Sequence, residues 1–246
     1  MIEYQNLKST TLKQEKYHIQ TYFRRVYGWM SCGLLLTAFV SWYVSNTIQV
    51  INYLLNNRFF LLGLCFLQFA LVFIMSNLLN RLSGKTLTTL FMFYSSLTGL
   101  TTAGVFSAYN QNTIFTAFIT TSLTFLSMCL WGYFTKKDLS YLGNIILMGI
   151  LGIIISSFIN FWLQNNFVSS IINYVSVIFF TLLIAYDTQK LKNIAKQISL
   201  NINDKDNLRR YAILGALMLY LDFINLFFII LNLISNNENN DNNDDK

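Results

Sequence analysis

An aspartate at position 222 stands inside residues 212–234, an apolar stretch long enough to cross a bilayer and free of any other charge. A carboxylate at mid-helix costs roughly 3 kcal/mol to insert. The residues at i±3 and i±4 are Met218, Leu219, Asn225 and Leu226, none of them basic, so its own helix offers no counter-ion. The partner must come from another helix, from water or from an ion. Of the 11 acidic residues, all but Asp187 and Asp222 lie in arms, loops or the tail. These two fall within or at the edge of consecutive apolar stretches. Asp187 has Lys190 at i+3, so an ordinary surface ion pair is open to it, worth a few tenths of a kcal/mol. Asp222 has no such option.

Two carboxylates at close range do not both ionise easily, so a pair would hold a proton toward neutrality unless a cation opposed it. Arg81, at the end of an apolar stretch, is the basic residue best placed to reach inward. Asn225 lies at i+3 from Asp222 and offers an amide oxygen. An acidic pair with oxygen neighbours suits protons or a hard cation such as Ca²⁺. Two carboxylates are too few for a tight Ca²⁺ cage of about 6–8 oxygens, but they suit a weak permeation site. Asp222 lies about 15 Å into its stretch at 1.5 Å per residue, whereas Asp187 is near the end of its own. The two meet only if one helix extends past the other's membrane boundary.

The elements that must position these groups are transmembrane helices. The 246-residue chain is 54% hydrophobic and 11% charged, against about 25% charged in soluble domains. Seven stretches reach the roughly 20 residues a bilayer demands: 26–44, 59–79, 87–108, 114–134, 141–163, 171–187 and 212–234. The chain is therefore all-α and polytopic, with an N-terminal arm (1–25), a membrane domain (26–234) and an acidic, Asn-rich tail (235–246) expected to be disordered. Proline is absent, so Pro-broken helices of the transporter kind are excluded. The third stretch is rich in Ser and Thr, and Ser95, Gly99 and Ala103 recur every fourth position, a stripe suited to close helix packing. Leu191, Ile194, Ala195 and Ile198 follow helical spacing, so the sixth stretch is expected to continue as an amphipathic helix.

Fifteen of the 17 basic residues fall in the N-terminal arm and in the links after spans two, four and six. Arg58 and Lys246 alone fall on the other side. This positive-inside bias puts the N-terminus in the cytoplasm and the C-terminus across the membrane. It gives the net charge of +6 a membrane reason, and no nucleic acid is expected. Cys32, Cys65 and Cys129 lie in three different apolar stretches and read as small packing residues rather than a disulfide or metal set. No resident cofactor or tightly held metal is expected.

The segments ALMLYLDFINLFFIILNLI, AYDTQKLKNI, VYGWMSCGLLLTAFVSWY and LFMFYSSLTGL resemble the Bax inhibitor-1 family, in order, from about residue 26 to 234, and most of all its bacterial inner-membrane members. The resemblance implies seven helices with the last one central. It implies a pH-sensitive Ca²⁺ leak controlled by a carboxylate pair, at Asp187 and Asp222 in this chain, with Arg81 matching a latch arginine on the second helix. Some bacterial relatives associate with a membrane-bound protease, although no motif carries that property to this chain. The expectation is a proton-gated cation leak in the bacterial inner membrane. The alternative is a non-transporting regulator of membrane-protein quality control or stress protection, in which Asp222 would lock helix packing. An enzyme is not expected. Aspartates on consecutive helices are a feature of intramembrane aspartyl proteases, but Asp222 follows Leu-Tyr-Leu rather than Gly-x-Gly, and the Pro-Ala-Leu element is missing.

Overall fold

The computed structural model describes residues 2–79, 81–199 and 205–244 (for 2–16, 55, 58, 166, 199, 205 and 237–244, the backbone alone). Among the described residues there are eight helices and no strand: α1 (Ile2–Ser45), α2 (Ile48–Asn56), α3 (Arg58–Asn77), α4 (Gly84–Ala108), α5 (Gln111–Phe134), α6 (Ser140–Leu163), α7 (Asn166–Ser199) and α8 (Lys205–Asp244). Six of them, among the described residues, are long and apolar enough to cross a membrane. Helix α4, with 25 residues, has the length of a seventh span but carries Ser or Thr at many positions, which keeps its hydropathy below that of the others. The apolar side chains left exposed, such as Phe66, Phe69, Ile154 and Phe158, are those that lipid rather than water must cover.

The sequence reading missed the short helix α2 because nine residues are too few to show a span. Its Ile51 and Leu54 are buried, and the following Asn57 accepts a hydrogen bond from the Phe60 N–H at 3.2 Å, which starts α3. Helix α7 does run on past the sixth stretch, and Leu191 and Ala195 are buried on the continuation. The tail, expected to be disordered, continues α8 as far as Asp244; extending an existing helix avoids the costly nucleation step. Of the three cysteines only Cys129 packs inside, while Cys32 and Cys65 are exposed on the apolar surface.

The chain forms two compact units, one of Met1–Ala108 with Leu191–Tyr220 and one of Tyr109–Lys190 with Leu221–Lys246. Helix α8 contributes to both and is the most buried of the apolar helices: 56% of its apolar window is buried, against at most 28% in the other five.

In the first unit α4 lies closely against α1. A Cβ on Gly99 would come within 2.8 Å of the Thr37 carbonyl oxygen and 2.7 Å of Val40, so the Ser95–Gly99–Ala103 stripe is a packing surface. Thr37 Oγ1 donates to the Ser95 carbonyl at 2.9 Å and lies 2.6 Å from the Tyr220 hydroxyl. The Tyr220 ring meets Phe91 and Tyr94 edge-on. A buried hydroxyl so partnered avoids the cost of an unsatisfied polar group.

At the start of α4, Asp206 Oδ1 accepts the Gly84 N–H at 3.0 Å, and its Oδ2 pairs with Arg210 at 2.7 Å. Arg209 donates to Thr88 Oγ1 at 3.0 Å and lies over the Trp29 ring. A carboxylate at a helix N-terminus satisfies an orphan N–H and complements the helix dipole. Asp206→Ala is expected to lower the thermal unfolding midpoint more than Asp206→Asn, which keeps an oxygen for Gly84. Equal midpoints for the two variants would show that the cap contributes nothing.

Candidate functional site

Asp187 lies on α7 and Asp222 on α8, in the same compact unit. Both are buried, with 8% and 4% of their surface exposed. They interact electrostatically with each other, and Lys190 is the cation felt by both. The difference in depth along the chain is met from both sides. Helix α7 continues 12 residues beyond Asp187 to Ser199, about 18 Å at 1.5 Å per residue, and α8 begins at Lys205, 17 residues before Asp222, about 26 Å. The carboxylates can therefore face each other although their distances from the ends of the apolar stretches differ.

Asp222 Oδ2 is buried and accepts no hydrogen bond among the described residues. Such an atom is rare, because burying an acceptor without a partner costs about 1–3 kcal/mol and more for a charge. Next to it, Phe223 meets Phe125 and Phe118 edge-on at 5.5 and 5.9 Å. These rings fix how α8 is turned in this unit, and with it the direction of Asp222.

Asp187 is held by its sequence neighbours. A Cβ on Gly132 of α5 would lie 2.9 Å from the Ala185 Cα and 3.0 Å from its carbonyl carbon, so α5 and α7 cross with backbone against backbone. Thr188 Oγ1 donates to Cys129 Sγ at 3.5 Å. Tyr186 covers Gly143 of α6, where a Cβ would meet the ring at 2.9 Å. Gln189 reaches the α5–α6 link: its Oε1 accepts the Leu139 N–H and its Nε2 donates to the Lys137 carbonyl, both at 2.8 Å. Each residue from 185 to 189 except Asp187 thus has a packing or hydrogen-bond role, and Asp187 is the one that interacts with Asp222 on α8.

The other residues singled out in the sequence are placed differently. Arg81 belongs to the first unit, in the turn after α3, where its N–H donates to the Leu78 carbonyl at 3.0 Å and its side chain is exposed. Asn225 is exposed and so stands outside the buried pair; one helical turn does not carry it to the face of Asp222 that packs inward. The sequence reading gave no role to Gln189 or Gly132. Gln189 was visible as a polar residue beside Asp187, but its partners lie 50 and 52 residues away, where no local pattern points.

On the α5–α6 link, Asp138 Oδ1 accepts the Ser140 N–H at 2.9 Å. Hydrogen bonds from the Ser140 side chain and backbone hold its carboxyl below the ordinary aspartate value of 3.8. A depressed folded-state value means stability that is present above the unfolded value and is lost as pH falls through the folded one. The difference in unfolding midpoint between wild type and Asp138→Asn is therefore expected to be constant above about pH 5 and to close in the acid range below about pH 4. A difference that does not vary with pH would show that this carboxylate does not stabilise the start of α6.

The profile of the family described as "Inhibitor of apoptosis-promoting Bax1" matches residues 19–239. The chain is 48% identical over 231 residues to "Inner membrane protein YbhL" of Escherichia coli (strain K12), covering 94% of this chain and 98% of that protein. It is 36% identical over 230 residues to an uncharacterized protein of Borreliella burgdorferi, covering 92% of this chain and 98% of the relative. An uncharacterized protein of Deinococcus radiodurans is 37% identical over 215 residues, 87% of this chain and 90% of its own length. By the extent of these matches, and with seven helices of bilayer length to bear them out, the chain is a multi-pass membrane protein belonging to the Bax inhibitor-1 family.

Proposed function

We propose that this protein is a proton-gated leak for a hard cation, with Ca²⁺ the favoured permeant ion, in a bacterial inner membrane. The observation that carries this reading is the buried Asp187–Asp222 pair with one oxygen of Asp222 left unbonded. In a purely structural polar lock the buried oxygens would all be hydrogen-bonded. An unsatisfied carboxylate beside a second one responds strongly to anything that supplies a proton or positive charge, and so it can bias an open–closed equilibrium. On this reading the pair closes the path, and a change in its protonation shifts the equilibrium. The ion is cargo, held weakly by two carboxylates with water and carbonyl oxygens, and the protein catalyses no covalent step. The N-terminus lies in the cytoplasm and the C-terminus in the periplasm, as the basic residues direct.

The test is Ca²⁺ flux in proteoliposomes across pH, comparing wild type with Asp187→Asn and Asp222→Asn. Wild type should leak in a pH-dependent manner, and both variants should lose most of that dependence. Unchanged flux and pH dependence in both variants would remove the reading. Absence of flux together with a stoichiometric co-purifying membrane protein would favour a regulator of membrane-protein quality control instead.

A further inference from the structure

We propose that Gln189 is a positioning residue for the carboxylate pair: its amide clamps the α5–α6 link onto the turn of α7 that carries Asp187. Three observations support the clamp. The amide uses its donor and its acceptor at once, on the backbone of two link residues that flank a single position, Lys137 and Leu139. Both bonds are 2.8 Å long, shorter than the usual N–H···O distance of about 2.9–3.0 Å. Between them the link drives Leu139 inward, where it is 3% exposed, while Lys136, Lys137 and Asp138 stay outside. Leu139 is thus a plug and Gln189 the clasp that seats it.

The consequence for Asp187 follows from position. Asp187 is two residues before Gln189 on a continuous helix, and on α5 the same helix is already fixed through Gly132 and Cys129. The clamp adds the α5–α6 link to that support, so that the packing around Asp187 is closed beyond the end of α5. Only side chains with a donor and an acceptor at the reach of Gln can make both bonds. A Met side chain fills the same space and makes neither, and an ionised Glu keeps only the acceptor.

The functional consequence rests on the proposed gate, so the test reads the clamp separately from flux. In wild type, Gln189→Met and Gln189→Glu, amide hydrogen exchange over 135–142 reports the Leu139 N–H. Labelling by a hydrophobic carbodiimide, quantified by mass spectrometry, reports access to Asp187, with exposed Asp138 as internal reference. In Gln189→Met the Leu139 protection is expected to fall by about tenfold and Asp187 labelling to rise severalfold relative to Asp138. Gln189→Glu should keep Leu139 protection within about twofold and raise Asp187 labelling less, because only the bond to Lys137 is lost. Unchanged Leu139 protection in the Met variant, or lost protection with unchanged Asp187 labelling, would overturn the assignment. Should the Met variant not fold, the Glu variant decides: Asp187 labelling equal to wild type overturns the proposal. If wild type shows no Asp222-dependent flux, the gate reading fails while the exchange and labelling results still judge the clamp.

Discussion

Asp222→Asn is expected to make the protein more stable and to make the proposed Ca²⁺ flux insensitive to pH. The two effects share one cause. Asp222 is 4% exposed and its Oδ2 has no hydrogen-bond partner, so the fold carries the cost of an unsatisfied carboxylate beside Asp187. An amide of the same shape removes the charge and offers a donor toward Asp187, while its own oxygen keeps part of the desolvation cost. The net gain should be about 1–2 kcal/mol, a rise of about 2–8 °C in the unfolding midpoint for a chain of this size. The same change takes away a titrating group from the proposed gate. Since every 1.4 kcal/mol is about tenfold in an equilibrium constant, a pH-driven change of that size in the open fraction should disappear. A variant more stable than wild type but impaired in function is the pattern of a site kept at some cost for activity. Loss of stability in Asp222→Asn, measured by thermal unfolding in detergent, would instead show that the carboxylate is a net stabilising lock.

Gly132→Ala should be destabilising although alanine is the better helix former. Its Cβ would stand 2.9 Å from the Ala185 Cα and 3.0 Å from the Ala185 carbonyl carbon. These are backbone atoms of a neighbouring helix and cannot turn aside as a side chain can. Overpacking of this kind typically costs about 1–3 kcal/mol, more than the roughly 1 kcal/mol that the substitution gains in helix propensity. Gly132→Val should cost more again. Gly152, in α6, has no atom within 4 Å of an added Cβ, so Gly152→Ala should be neutral or stabilising by up to about 1 kcal/mol. The comparison isolates close approach from propensity. The backbone displaced in Gly132→Ala lies two residues from Asp187, so the proposed flux should change in this variant and not in Gly152→Ala. A Gly132→Ala protein with a wild-type midpoint would mean that α5 and α7 do not cross as closely as the structure has them.

Much of the candidate site was legible before any fold was known, and for a definite reason. The cost of burying charge in lipid is so large that Asp187 and Asp222 stand out against an apolar background. The AYDTQ and LYLDF segments then directed them to one family. The Ser95–Gly99–Ala103 stripe was legible for a related reason, since small residues at every fourth position mark one helix face. Asn225 shows the limit of that logic. Its i+3 spacing suggested a shared face with Asp222, but about 60° of rotation around the helix is enough to separate a buried carboxylate from an exposed amide. Helix α2 was missed because a nine-residue helix produces no span-length signal.

By itself the sequence determined what depends on position along the chain: the helices of bilayer length and which charges stand out against an apolar background. These follow from bilayer thickness and insertion cost, which act on each segment separately. The tertiary structure decided what depends on residues far apart meeting: that α7 and α8 overrun the apolar stretches enough for Asp187 and Asp222 to interact, that Gly132 admits the α7 backbone, and that Gln189 holds a link about 50 residues away. Such contacts come from the packing of whole helices, and no local spacing encodes them.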